Sequence, residues 1–377
     1  MNIPFVYGKI VSENNFTDRK KETERLVANF LSQTNTAIIS PRRWGKSSLV
    51  NRAVEAVRRI NDSILFVNIN IFKCKSPQAF CELFAKKVVK EISPSPELLL
   101  ANAREFVTNL LPRISISDPS GQYDISFGID IRKNPIDESI LDLPQEIAIK
   151  RNRKVVICID EFQQIGEFDE SEQFQKILRS HWQEHSDVAY VLYGSKKHMM
   201  LGMFGEYKSP LYRFGDLMFL PKIANSDWVE YIMKRFTDTG KIIDKKAAGH
   251  LAELVDNHSY YVQQLAQYAW LRTEIMCDSQ TVDMAFSSLM DSLSLQFVNL
   301  MDDLTEKQRN FLCAICDGVV NFSSAQTLSK YNLGTSANIR ILKGAMKKKD
   351  IIDESQGHLS IQDPVFKTWI QQVYTRL

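Results

Sequence analysis

Apolar residues in this chain follow three rhythms. Between residues 36 and 220 they gather in short unbroken runs: Thr36–Ile39, Ile64–Ile69, Lys154–Ile159, Ala189–Tyr193 and Met218–Leu220. Helical spacing is predicted between the runs, over roughly Ser47–Arg59 and Ser76–Glu91. Continuous apolar strands bracketed by helices predict an α/β domain, a parallel sheet covered on both faces. From Asn225 the pattern is wholly helical, over Trp228–Asp238, Lys245–Asp256, Tyr260–Ile275 and about Thr281–Asp302. A third pattern starts near Leu304. One helix begins behind Thr305 as N-cap and runs to about Cys316. A short second helix covers Ser324–Tyr331, and a third, capped by Thr335 or Ser336, runs to Lys347. The short strands Ile351–Asp353 and Leu359–Ile361 flank a Gly357 turn. Three helices and a hairpin predict a winged helix-turn-helix. The expected domains are therefore 1–224, 225–302 and 303–377.

One segment interrupts the α/β rhythm. Arg113–Ser117 and Tyr123–Ile129 alternate polar and apolar around Asp118-Pro119-Ser120-Gly121. That reads as a β-hairpin inserted at about 113–129, either a solvent-covered ornament or a place for a partner to dock.

Composition narrows the picture. A chain of 377 residues is too long for one ordinary core. Its net charge of +2 makes any nucleic-acid surface local rather than global. No apolar run is long enough to span a membrane, and Met1-Asn2-Ile3-Pro4-Phe5 lacks the regions of a signal peptide. Six scattered cysteines form no disulfide framework, so a cytoplasmic protein is expected. Cys313 and Cys316 form a C-x-x-C pair, but no second pair or histidines follow at zinc-ligand spacing. Like Cys158, they read as core thiols.

The candidate chemistry sits where the first strand ends. Ser40-Pro41-Arg42-Arg43-Trp44-Gly45-Lys46-Ser47 is a phosphate-loop pattern, G-x-x-x-x-G-K-S/T, with serine for its first glycine. It joins a strand to a helix that begins near Ser48, the context in which backbone N–H groups and a helix N-terminus cradle phosphates. Lys46 would reach the β- and γ-phosphates and Ser47 would hold Mg²⁺. About 115 residues further on, the strand Val155–Ile159 ends in Asp160-Glu161. Strand ends share one sheet edge, so Asp160 would support the metal and Glu161 would polarise the attacking water. Lys196, beyond the next strand, is either a γ-phosphate sensor or a solvated loop lysine. The residues themselves leave ATP and GTP open, although no guanine-reading N-K-x-D motif appears near the later strands.

Taken together, these motifs resemble the prokaryotic, archaeal-type ATPases at the AAA+/STAND boundary, over nearly the whole chain. Pro41–Ser47 is similar to their P-R-R-x-G-K-S/T loop and Ile159-Asp160-Glu161-Phe162-Gln163 to their D-E-F/A-Q signature. Asn15-Phe16-Thr17-Asp18-Arg19-Lys20-Lys21-Glu22 resembles their adenine-side F-x-G-R-x-x-E segment, with Asp18 for glycine. Leu178-Arg179-Ser180, Gly194-Ser195-Lys196 and Pro210-Leu211-Tyr212-Arg213 resemble later ATPase motifs, and Asn257–Gln263 a lid motif. The resemblance implies a five-stranded P-loop NTPase sheet, a helical lid over 225–302 and a C-terminal winged helix. It implies ATP with Mg²⁺ as ligands, Phe16 and Arg19 near the base, and Arg213 as a γ-phosphate sensor in cis or from a neighbouring subunit. The expected function is a Mg-ATP-dependent ATPase switch or remodeller. The alternative is an ATP-gated DNA- or protein-binding module with little turnover, such as a mobile-element or defence component. Asn338, Arg340, Lys343, Lys347, Lys348 and Lys349 make the third winged-helix helix basic and duplex DNA a candidate partner, while Asp353 and Glu354 in the wing repel phosphate. Self-association or a protein partner is equally compatible with this module.

Overall fold

The structure, a computed structural model, describes residues 3–9, 17–93, 111–116, 123–128, 138–355 and 357–374, the segments 111–116 and 123–128 as backbone. Phe16 and the turn at 117–122 lie outside the described residues. Where the sequence suggested three domains, the chain divides into two compact units. One is Arg19–Pro221; the other joins Met1–Asp18 to Lys222–Leu377.

The first unit opens with α1 (Lys20–Leu31), β1 (Thr36–Ile39), α2 (Lys46–Ile60), β2 (Leu65–Asn70) and α3 (Pro77–Glu91). The predicted hairpin follows as β3 (Leu111–Ile116) and β4 (Tyr123–Gly128), paired antiparallel from Leu111↔Gly128 to Ile116↔Tyr123. A 3₁₀ turn (Glu138–Leu141), α4 (Leu143–Arg151), β5 (Val155–Asp160) and a second 3₁₀ turn (Phe162–Glu167) come next. The unit closes with α5 (Ser171–Trp182), β6 (Val188–Gly194), α6 (Lys197–Gly205) and β7 (Asp216–Phe219).

Five strands form one parallel sheet in the order β2-β5-β6-β1-β7. Every residue of β1 and β6 is buried, as expected of a parallel sheet covered on both sides. Alternate residues Ala37, Ile39, Val67, Ile69, Ile157, Ile159, Tyr190 and Leu192 join one core with Phe80, Phe84, Phe162, Phe174 and Trp182. Trp182 stacks on Tyr190 at 4.1 Å. On the opposite face Phe30 of α1 meets Phe66 of β2 edge-on, beside the buried Leu49, Val50, Ala53, Val54 and Val57 of α2. Edge strand β7 is tied to α1 where Arg25 and Asn29 donate to the Asp216 carboxylate.

The register fixes what meets at the carboxyl edge. Ile39 lies opposite Gly194, and Ile159 opposite Leu192. The phosphate loop after β1 and the acids after β5 therefore flank the end of β6.

The second unit contains α7 (Asn225–Thr237), β8 (Ile242–Ile243), α8 (Lys245–Leu254), α9 (Ser259–Arg272), β9 (Met276–Cys277) and the long α10 (Ser279–Asp302). It continues with α11 (Glu306–Cys316), α12 (Ala325–Lys330), α13 (Ser336–Lys348), β10 (Ile352–Ser355), β11 (His358–Ile361) and α14 (Pro364–Gln372). Local chemistry sets several helix starts. Thr305 and Gln308 form a reciprocal capping box, and Asp244, Asp278, Ser324 and Asp363 each cap a helix through the side chain. Thr335 is the N-cap of α13 but makes no side-chain cap bond.

The helical segment and the winged helix share one apolar core. Phe297 of α10 packs on Phe366 and Trp369 of α14, and Trp369 Nε1 donates to Ser294 Oγ at 3.0 Å. The N-terminal segment, assigned from sequence to the α/β domain, belongs here instead. Phe5 is buried against Tyr231 and Phe236, and the Pro4 carbonyl accepts from Arg235 Nε at 2.7 Å. Cys316 is buried in this core, and burial pushes its thiol up to about 12. Among the described residues, no helix is long and apolar enough to cross a membrane.

Candidate functional site

The loop Ser40–Lys46 turns on two left-handed residues, Arg43 (φ 65°) and Gly45 (φ 91°). Gly45 is the N-cap of α2 and brings no capping side chain. The N–H groups of Lys46 and Ser47 thus open a helix whose positive dipole end faces the loop. Ser40 does not have a positive φ, so glycine's conformational freedom is not required there. That is the physical reason serine is accommodated. Its hydroxyl donates to the Pro41 carbonyl at 3.2 Å and, with that loop, encloses the lysine.

Lys46 is buried. Its Nζ donates to the Ser40 carbonyl at 3.1 Å, to Ser40 Oγ at 3.3 Å and to the Pro41 carbonyl at 2.9 Å. Burial lowers its pKa to about 8. The nearby Asp160 and Glu161 carboxylates oppose that shift, and Arg42 adds to it.

Ser47 Oγ donates to Asp160 Oδ2 at 3.0 Å. The other oxygen, Asp160 Oδ1, accepts the Glu161 N–H at 2.8 Å. Burial nonetheless holds the Asp160 carboxyl above its ordinary range, against the Ser47 hydrogen bond and with help from the Glu161 charge. A hydroxyl and a carboxylate at this spacing form a donor set suited to Mg²⁺, which takes one or two protein oxygens and completes its shell with phosphate and water.

Glu161 leaves the strand in a left-handed conformation (φ 57°). That turn brings the side chain of Gln163, two residues on, back to it: Gln163 Nε2 donates to Glu161 Oε2. Ser195 Oγ donates to the same oxygen at 3.0 Å, and the Ser195 N–H donates to Gln163 Oε1 at 3.2 Å. The sequence supplied Gln163 and Ser195 as parts of motifs without a role; the structure joins both to Glu161.

The remaining predicted residues fall differently. Arg19 is buried, donating to Glu22 at 3.2 Å and towards the Trp44 carbonyl at 3.5 Å, so it braces the phosphate loop. Asp18 adopts φ 53°, the conformation that explains why glycine is usual at that place. Lys196 does not join the cluster. Its Nζ pairs with Glu167 Oε1 at 2.9 Å, and the side chain at the end of β6 that touches the acids is Ser195. Arg213 adopts φ 54° and lies over the Tyr212 ring at 5.2 Å, with no contact to the cluster among the described residues. Arg179 pins that turn, donating to the carbonyls of Pro210 at 2.9 Å and Tyr212 at 2.7 Å.

The winged helix differs from its sequence pattern in charge. Lys347 and Lys343 both pair with Glu354 in the wing, at 2.5 and 3.6 Å. Asn338 folds back towards the Leu333 carbonyl at 3.4 Å. Arg340, Lys348 and Lys349 remain exposed, beside an exposed Ile341.

Comparison with known proteins bears on the fold. A family model described as a probable winged helix domain matches residues 295–372. The chain is similar to the Walker-type ATPase PABY2304 of Pyrococcus abyssi, at 16% identity over 98% of this chain and 100% of that one, with a TM-score of 0.67. It is also similar to the ORC2 protein of Aeropyrum pernix in ADPNP–ADP complexes, at 14% identity over 99% and 100%, TM-score 0.56. The Aeropyrum pernix ORC1 protein in complex with DNA matches at 13% identity over 96% and 94%, TM-score 0.50. No curated protein matches the chain. The fold is thus α/β and P-loop NTPase-like, with a five-stranded parallel sheet. A C-terminal winged helix domain completes it.

Proposed function

We propose that this protein is a Mg²⁺-ATP-dependent ATPase that works as a nucleotide-driven switch. One observation carries the reading. A buried lysine, a helix-start hydroxyl and two consecutive carboxylates converge at one sheet edge, with Ser47 and Asp160 in direct contact. Lys46 and the first amides of α2 would hold the phosphates, and Ser47 with Asp160 would hold the metal. Bound there, Mg²⁺ would neutralise charge on the terminal phosphates. Glu161, anchored through one oxygen, would orient the attacking water and accept its proton. ATP is favoured over GTP by the motif resemblance and by the adenine nucleotides of the similar ORC2 structure.

Phosphate-release and binding assays test this together. Glu161→Gln is expected to bind ATP like wild type while losing about 100-fold or more in turnover. Lys46→Ala is expected to lose binding. Unchanged ATP binding in Lys46→Ala would overturn the assignment.

A second reading, an ATP-gated DNA-binding module, draws on the winged helix and on the DNA held by the similar ORC1 structure. Its contact surface would be Arg340, Lys348 and Lys349, because Glu354 engages Lys343 and Lys347. Arg213, presented on a surface turn, remains a candidate to act on the site of a second copy.

A further inference from the structure

We propose that Gln163 is a positioning residue that aims Glu161 and couples it to the junction between β6 and α6. The inference rests on the ATPase reading above and adds a part to it.

Gln163 is 3% exposed, and both ends of its amide are used. Nε2 donates to Glu161 Oε2, and Oε1 accepts the Ser195 N–H at 3.2 Å. Since Ser195 Oγ also reaches Glu161 Oε2 at 3.0 Å, three groups close a small ring: carboxylate, amide and the residue that follows β6. Two donors on one carboxylate oxygen fix the plane of the acid. Among the described residues no donor reaches Oε1, the lone pairs a water would use.

Space for this arrangement is specified by a neighbouring glycine. A Cβ on Gly194 would lie 2.0 Å from Gln163 Oε1 and 2.9 Å from Met200 Sδ. No side chain fits there while Gln163 holds its place. The left-handed backbone of Glu161 (φ 57°) is an uncommon conformation for a side-chain-bearing residue and is what turns Gln163 back to its own neighbour. Buried amides with both ends satisfied adopt one orientation. Any shift at the end of β6, where Lys196 is tethered to Glu167, is therefore transmitted through Gln163 to the carboxylate.

The test compares ATP affinity, turnover and pH profile for wild type, Gln163→Met, Gln163→Glu and Gly194→Ala. Gln163→Met keeps the volume and removes the amide. It is expected to lower kcat about tenfold or more, with the Kd for ATP within about threefold of wild type. Gly194→Ala strikes the same contact from the end of β6 and is expected to give the same split. Matching melting curves show that the fold persists. Gln163→Glu can donate to Glu161 only when protonated, so its turnover should match that of Gln163→Met at alkaline pH and recover towards pH 6. A side chain that merely fills space predicts no such recovery. Wild-type kcat in Gln163→Met, or pH profiles of one shape for Gln163→Met and Gln163→Glu, overturns the positioning role alone. Wild type that binds no ATP overturns the nucleotide site and the role together.

Discussion

ATP binding should take up a proton above pH 8. Lys46 is held by three oxygens of its own loop in a buried position, and its pKa is lowered to about 8 from 10.5. Phosphate oxygens restore the charged form, so the lysine must be protonated to bind. Below pH 7 more than about nine-tenths already is. At pH 9 roughly one molecule in eleven is, and the apparent affinity falls by that fraction, about tenfold or ~1.4 kcal/mol. A phosphate's second proton titrates near pH ~6, so the terminal phosphate of ATP contributes almost nothing at pH 9. Titration calorimetry with ATP in EDTA, in two buffers of different ionisation enthalpy, measures the uptake directly. About 0.9 proton is expected at pH 9 and about 0.1 at pH 7. Lys46→Arg, which stays charged, should show neither uptake nor the loss of affinity. Stability runs with the opposite sign. Between about pH 8 and 10.5 the unfolded chain binds the extra proton, so this group adds stability as pH rises through that window and loses it as pH falls. No proton uptake at pH 9, with an affinity flat from pH 7 to 9.5, would refute the reasoning.

Three further outcomes separate the roles of individual residues. Ser40→Gly should keep ATP binding within about threefold, whereas Gly45→Ala, forcing a Cβ into φ 91°, should lose binding and about 1 kcal/mol of stability; calorimetry and melting curves check both. Lys196→Ala should leave the ATP Kd unchanged and shift stability by under about 1 kcal/mol, because its partner is the half-exposed Glu167; a loss of ATP affinity would return it to the phosphate site. If duplex DNA binds, Arg340→Glu and Lys348→Glu should weaken it and flatten its salt dependence, while Lys347→Ala should matter less; anisotropy at several salt concentrations distinguishes them.

The sheet was legible because each core strand is apolar on both faces, and the phosphate loop because its chemistry is contiguous in sequence. What could not be read depended on partners distant in the chain. Phe5 looks like part of the α/β domain until Tyr231, Phe236 and Arg235 are seen to receive it and its neighbour. Charge singled out Lys196, but register singles out Ser195, since the end of β6 lies opposite Ile39. The lysines of α13 look like a nucleic-acid face until the wing folds Glu354 onto two of them.

The site as it stands is self-satisfied, and that has a mechanistic consequence. Lys46 is bound to loop oxygens, the Ser47 hydroxyl to Asp160, and Glu161 to Gln163 and Ser195. Phosphate and metal would have to replace the first two sets of bonds, so their binding exchanges contacts rather than filling unpaired groups, which limits net affinity. The third set is different. It uses the Glu161 oxygen opposite the one left for water, so it can persist while the nucleotide is held. On the proposed reading, the loop answers to the ligand, and the Glu161 carboxylate answers to β6. Under the proposed ATPase reading, nucleotide would be bound in one arrangement and hydrolysed in another, which is the separation a switch requires.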